Sequence, residues 1–173
     1  MPVFNTAIYD AQKEPRGFVI NNTTGVVTAS PSRLGDANIA SGDVEFAVIP
    51  YTIATPTTEV ANDTINLCVL PSGCIPIPAL SKIVRTVSVG TTLTLDVGTA
   101  ADTDGWIDGA AIGGAVTEVS ATSTTPPPAW AAPTPLVADA GSGNAVVKAT
   151  IASASALAPG VTVYFVLAYK RVR

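Results

Sequence analysis

The residues that could most readily do chemistry are four aspartates in the segment LDVGTAADTDGWID, namely Asp96, Asp102, Asp104 and Asp108. Asp-x-Asp-Gly spacing is typical of calcium loops, because a hard cation prefers several carboxylate oxygens on one tight turn. The glutamate that completes the EF-hand pattern is absent, and the flanking sequence does not predict helices. Asp and Gly also favour tight turns in their own right. We therefore expect a solvated turn, with a cation site as the alternative, and predict no obligatory metal.

Other catalytic constellations are excluded by composition. The chain contains no histidine, which excludes a Ser-His-Asp triad, a Cys-His dyad and His-ligated zinc or haem. A glycosidase acid-base pair is disfavoured because aromatic residues, which line sugar clefts, make up only 6% of the chain. The G-x-S-x-G, P-loop and G-x-G-x-x-G motifs are absent. We predict that the protein is not an enzyme and binds no cofactor.

Charge and hydropathy restrict the partners. The net charge is −4 and the isoelectric point is about 4.6, so we expect no direct contact with nucleic acid. No apolar run reaches the roughly 18 residues of a membrane span, and we expect no membrane association. Charged residues make up 13% of the chain and apolar residues 47%. A surface with so few charges favours association, and we predict a homo-oligomer.

The two cysteines, Cys68 and Cys74, flank the turn sequence Leu-Pro-Ser-Gly. The first residues lack a basic start followed by an apolar stretch, so we expect no signal peptide and synthesis in a reducing cytoplasm. Under those conditions we expect two thiols, one in the core and one in a loop. A disulfide across the turn is the alternative.

From residue 44 onward, apolar and polar residues alternate with the two-residue period of half-buried strands. Candidate strands lie at 44–48, 64–69, 82–89, 92–97, 115–119, 135–138, 145–151 and 161–170. Only DTDGWIDGAA at 102–111 could hold a short helical turn. About eight antiparallel strands without crossover helices predict an all-β fold, an antiparallel β-sandwich with a jelly roll as first choice. We expect its core to contain Phe46, Leu67, Leu95, Val163 and Phe165.

The N-terminal quarter of the chain differs from this domain. Residues 1–43 show no sustained period, so we predict an extended arm followed by a sandwich domain at 44–173. The spaced aromatic residues Phe4, Tyr9 and Phe18 suit a segment laid along a neighbouring groove or added to a sheet edge. The alternative is that the arm wraps its own domain or a sister protomer.

Two further segments are candidates for contacts with other subunits. A Pro-rich insertion at 120–135 carries Trp130, which either covers its own domain or contacts a neighbouring subunit. The tail Lys-Arg-Val-Arg includes Arg171 and Arg173. No base lies between Arg85 and Lys148, whereas six acids do. We expect either solvated charges or a basic end that docks on an acidic partner surface.

The order of segments resembles a known class of proteins. DTINLCVLPSG is followed by a Val-rich strand, VGTTLTLDVGTAADTDGWIDGAAIGGA, a later AVVKATI strand and a closing VTVYFVLAYKRV strand. Over residues 44–173 this arrangement is similar to small β-sandwich virion proteins of tailed bacteriophages, especially head decoration (cement) proteins.

The resemblance implies a homotrimer of sandwich domains on the outside of an icosahedral shell. The implied partner is the major capsid protein, the implied location is the virion exterior, and the implied role is to bridge capsomers against the pressure of packaged DNA. A head-fibre or tail-associated module that binds a receptor or glycan is the alternative. Low charge and irregular segments favour packing against other proteins, whereas a glycan site would need more aromatic residues.

Overall fold

A computed structural model describes the chain at residues 3–5, 19–20, 27–28, 44–124, 126–131, 134–141 and 143–171. Across these segments, no helix has the length and apolar character needed to cross a bilayer. Short 3₁₀ turns occur at Pro78–Leu80, Ala121–Ser123 and Ala129–Ala131. All other regular structure in the described ranges is β-strand.

The strands form two main sheets. The first contains, in spatial order, β1 (Val3–Asn5), β5 (Thr64–Pro71), β11 (Asn144–Leu157), β8 (Gly90–Gly98) and β9 (Ile107–Ala111). The second contains β10 (Glu118–Ser120), β7 (Lys82–Arg85), β12 (Thr162–Lys170) and β4 (Val44–Thr52), and β6 (Ile75–Pro76) also pairs with β12. A separate antiparallel pair joins β2 (Val19–Ile20) to β3 (Val27–Thr28).

The strand order confirms the predicted antiparallel β-sandwich and its jelly-roll connectivity. The first and last long strands, β4 and β12, are neighbours in the second sheet, and β5 and β11 are neighbours in the first. Apart from the β8–β9 hairpin and the step from β6 to β7, successive strands from β4 onward lie in opposite sheets. This nesting of early strands beside late ones is what two Greek keys in a double sheet produce.

Four of the five predicted core residues are confirmed. Leu67, Leu95, Val163 and Phe165 are each at most 1% exposed. The expectation for Phe46 is wrong, because this side chain is 52% exposed. Strand β4 is apolar on both faces, and its inward face is the other one, formed by Ala47, Ile49 and Tyr51. Since strand side chains alternate, an error of one residue in choosing the inward set turns every member to the solvent.

Several predicted boundaries also differ. The segment 102–111 forms no helix; its second half is β9, where Gly109 adopts a positive φ of 65°. The predicted strand 82–89 ends at Arg85. Residues 135–138 form no strand, although Leu136 exchanges backbone hydrogen bonds with Gly73 and Cys74. These two bonds fix the position of the 135–138 loop but do not add it to either sheet as a strand.

A buried serine links the two sheets. The Ser81 hydroxyl donates to the carbonyl of Ile77 at 2.9 Å and accepts the Trp106 indole N–H at 3.0 Å. It also accepts the backbone N–H of Ala168 in β12 at 2.9 Å. Trp106 immediately precedes β9 of the first sheet and is fully buried. One hydroxyl therefore satisfies two buried donors, one from each side of the sandwich.

Candidate interaction surface

Of the site residues predicted in the arm, one lies in a described strand. Phe4 is in β1, whose backbone pairs in parallel with β5 and places Phe4 opposite Ile65. At Val3–Asn5 the arm thus adds a strand to the edge of its own domain. Tyr9 and Phe18 lie outside the described residues, as does Arg173 in the tail. Their contribution to an interface stays a prediction.

Trp130 lies against its own domain. Its side chain is 7% exposed, and its backbone N–H donates to the carbonyl of Gly105 at 2.8 Å. A Cβ atom at Gly105 would stand 2.8 Å from Cδ2 of the indole, so the ring requires a glycine beneath it. The indole therefore covers the loop between β8 and β9. A contact between Trp130 and another subunit stays a prediction.

Arg171 ties the end of β12 to β4. Its Nε lies 3.0 Å from Oε1 of Glu45, and the Tyr169 hydroxyl donates to Oε2 of the same carboxylate at 2.8 Å. Burial, followed by the hydrogen bond and charge of Glu45, raises the pKa of Tyr169, so its hydroxyl remains a donor. The charge of Arg171 is thereby offset within the chain.

An exposed apolar strip lies on the outer face of β4. Val44, Phe46 and Val48 alternate along the strand and are 43%, 52% and 56% exposed. We call these three residues the β4 strip. In the neighbouring strand, the half-buried Val166 lies opposite Val48, whereas Ala168, opposite Phe46, is fully buried and adds nothing to the exposed surface. Large apolar side chains grouped on one open face are typical of protein-binding surfaces.

The two-residue period predicts that Phe46 of this strip is in the core, and one local signal in the sequence argues against that prediction. The run VEFAVIPY is apolar on both faces, so periodicity alone cannot say which face is inward. Pro50 has no backbone N–H, and proline within a strand indicates a sheet edge. An edge strand with two apolar faces is a candidate binding strand rather than an ordinary half-buried one.

The four aspartates around the β8–β9 loop form a repulsive cluster. Burial, followed by the hydrogen bond and charge of Asp104, raises the pKa of Asp102. Burial and the charge of Asp104 likewise raise the pKa of Asp108. The Asp96 carboxylate links β8 to β9, since it accepts the Gly109 N–H at 2.7 Å. Within the described ranges, no three acidic or cysteine side chains are grouped as metal ligands would be.

Both cysteines are buried thiols. Cys68 is fully buried in β5, and Cys74 is buried although it follows the turn, where its N–H donates to Pro71 at 3.3 Å. Burial raises the pKa of Cys68 to about 12 and also raises the pKa of Cys74. Thiols that stay protonated at neutral pH are poor nucleophiles. Cys74 therefore has the loop position expected of one cysteine, but its side chain is buried as well.

Glu59, in the connection between β4 and β5, carries a buried carboxylate that is 5% exposed. It accepts the Tyr51 hydroxyl at 2.8 Å, the Ala54 N–H at 2.6 Å and the Thr58 N–H at 3.0 Å. Burial opposes ionisation, but the donors outweigh it and hold the pKa of Glu59 below its ordinary value of 4.5. Because two donors lie in the β4–β5 connection and the third, Tyr51, lies near the end of β4, the carboxylate holds this loop against the strand.

We expect Glu59→Gln to lower the free energy of unfolding at pH 7 by about 1–3 kcal/mol, because the amide is uncharged and directs hydrogens at these donors. The pKa of Glu59 is lower in the folded chain, so the carboxylate stabilises the fold above pH 4.5 and loses this effect as the pH falls further. Denaturant titrations of both proteins between pH 7 and 3 should show their difference shrinking on acidification.

Glu118→Gln is the matched control, since Glu118 is an exposed partner of Lys82 at 3.0 Å. Its effect should stay within about 1 kcal/mol. A difference between wild type and Glu59→Gln that grows towards pH 3 would contradict the assigned role.

Comparison with known proteins identifies the fold. No protein-family model matches the sequence, and no curated protein matches it. Among solved structures, a chain of the cyanophage Pam1 capsid asymmetric unit is 20% identical, with a TM-score of 0.50; the match covers 85% of this chain and 99% of that one. A chain of the capsid of Ralstonia phage GP4 is 22% identical, with a TM-score of 0.46, over 82% and 92% of the two chains. The likeness to the Pam1 chain shows a shared fold.

Proposed function

We propose that this chain is a structural protein of a phage virion, which decorates the outside of an icosahedral capsid and stabilises it by bridging capsomers. The observation that carries the proposal is the match to the cyanophage Pam1 capsid chain, since it extends over 99% of that chain at a TM-score of 0.50. The two proteins therefore share a whole architecture rather than one common motif. The resemblance of strand order to head decoration proteins supports the same role.

The chemistry of the described surface agrees with a binding role. The β4 strip is apolar and exposed, whereas the two tryptophans and both cysteines are buried. The aspartate cluster lacks metal-ligand geometry within the described ranges. Such a surface suits attachment to other proteins better than recognition of a sugar, which aromatic residues usually stack against. The proposed partner is the major capsid protein, and the proposed assembly state on the shell is a homotrimer.

The test is cosedimentation of the purified protein with capsids that lack it. We expect saturable binding to the shells and a higher temperature or osmotic stress for shell rupture when the sites are filled. The same assay with glycans or host cells in place of shells addresses the fibre or tail alternative. Binding to cells or glycans without binding to shells would contradict the proposal.

The arm can be tested in the same assay. Deletion of residues 2–20 should abolish or strongly weaken shell binding if the arm docks on the shell, but it also removes β1 from the edge of the first sheet. The double substitution Tyr9→Ala with Phe18→Ala leaves β1 intact and serves as the cleaner variant. Folding is checked by tryptophan fluorescence, because Trp106 and Trp130 are both buried. Full affinity of both folded variants would show that the arm contributes nothing.

A further inference from the structure

One side of strand β4 has no partner among the described residues. Just beyond its end, the N–H of Ile53 donates to the carbonyl of Val161 at 2.9 Å, and the carbonyl of Ile53 accepts the N–H of Gly160 at 2.9 Å. Because β4 pairs with β12 in one unbroken register, its odd-numbered residues direct their backbone groups at β12 in the same way. In an antiparallel pair the alternate residues direct theirs away. The even-numbered residues Val44, Phe46 and Val48 thus turn their backbone groups towards the open edge, while their exposed side chains lie on the outer face of the sheet beside that edge.

An open edge with apolar side chains is costly for an isolated domain. Unpaired N–H and C=O groups beside large apolar side chains form a ready surface for another chain. Natural edge strands usually carry charges that prevent such pairing, but the β4 strip carries none at its three exposed positions. Pro50 lacks an N–H to offer and so limits the bonding to the first part of the strand.

The distribution of charge identifies the occupant. Lys170 lies opposite Val44 at the beginning of the strip and is exposed. Arg171 follows it, but its charge is offset by Glu45. The β9 edge of the first sheet is negatively charged, because Asp102, Asp104 and Asp108 surround the β8–β9 loop. The sequence contains no lysine or arginine between Arg85 and Lys148, so no base close in sequence offsets the negative charge of this loop.

We propose that the β4 strip binds a second copy of this chain head to tail, with the acidic β8–β9 loop of one copy facing Lys170 of the next. The two surfaces are different, so the contact is heterologous and closes into a ring when the rotation permits it. The inference deepens the trimer in the proposed function and supplies its interface. Its test needs no shells, so the interface and the role on the capsid can fail separately.

The first experiment measures mass by light scattering over a dilution series. Wild type should give a multiple of the 17.5 kDa chain that dissociates on dilution. Phe46→Asp should raise the dissociation constant by about 100-fold, because it buries an unpaired charge in the contact. Val137→Asp is the control, as Val137 is 64% exposed in the 134–141 segment and outside the strip. Val48→Asp replaces the first variant if tryptophan fluorescence shows that Phe46→Asp does not fold.

The second experiment tests the direction of the contact by charge exchange. Lys170→Glu and Asp104→Lys should each weaken association by about five-fold at low salt, and 0.5 M salt should remove most of this effect. The double variant restores opposite charges at every contact of a head-to-tail ring, and its dissociation constant should return to near the wild-type value. Rescue of this kind does not arise from two independent structural defects.

Three results would overturn the proposal. One is a monomeric wild type at every concentration. Another is an unchanged mass for folded Phe46→Asp, and if that variant also loses binding to shells, the strip faces the shell protein instead. The third is additive weakening in the Lys170→Glu, Asp104→Lys double variant.

Discussion

Phe165→Ala should lower the free energy of unfolding by about 3–5 kcal/mol. Phe165 is fully buried in β12 and lines a small cavity together with Tyr51, Ile65 and Leu95. The volume vacated by the phenyl ring would join this existing space, and a site framed by two paired sheets has little freedom to collapse. Denaturant titration followed by tryptophan fluorescence measures the change, with the slope expected to stay constant.

Phe46→Ala is the matched control, since it removes the same side chain from a position that is 52% exposed. In diluted protein, where association contributes little, its effect should be within about 0.5 kcal/mol. Equal losses for the two variants would mean that the inward face of one of the two strands has been misassigned. A negligible loss for Phe165→Ala would contradict the register of β12.

Ser81→Ala should be about as damaging, with an expected loss of about 2–6 kcal/mol, because it leaves two buried donors without a partner. The hydroxyl accepts the Trp106 indole N–H and the Ala168 backbone N–H, and neither donor can reach water when it is lost. Each buried donor left without a partner costs about 1–3 kcal/mol. The measurement is the denaturation midpoint, together with the near-ultraviolet circular dichroism of the fully buried Trp106.

Ser123→Ala provides the comparison, because the Ser123 hydroxyl makes an exposed local bond to the carbonyl of Ser120 at 2.7 Å. Its loss should cost no more than about 0.5 kcal/mol. A Ser81→Ala protein as stable as the Ser123→Ala protein would show that water or a small shift satisfies the two donors.

Long alternating strands are where sequence reasoning succeeded. Leu95 in β8 and Phe165 in β12 were assigned to the core because one face of each strand is clearly more apolar or bulkier than the other. Strand β4 lacks that contrast, so the same reasoning turned Phe46 inward. The sequence does not predict the candidate surface for the same reason, since Phe46, its one aromatic residue, is predicted to be in the core.

Other site residues depended on distant contacts. The sequence left open whether Trp130 covers its own domain, and the answer lies in a glycine 25 positions earlier whose missing side chain makes room for the indole. Arg85 in β7 is buried, and its side chain donates to the carbonyls of Ile112 and Gly114 on another segment. Neither pairing leaves a local pattern in the sequence.

By itself, the sequence determined the all-β class, the sandwich and the exclusion of histidine chemistry, because composition and a two-residue period are local properties of the chain. Only the tertiary structure decided which face of β4 is inward and which edge is open. It also decided that Ser81 satisfies the N–H of Ala168, a contact between residues 87 positions apart. A two-residue period specifies only that side chains alternate between the two faces of a strand. When both faces are apolar, the register with β12 decides which set of side chains faces inward, and that register is set by pairing across the whole domain.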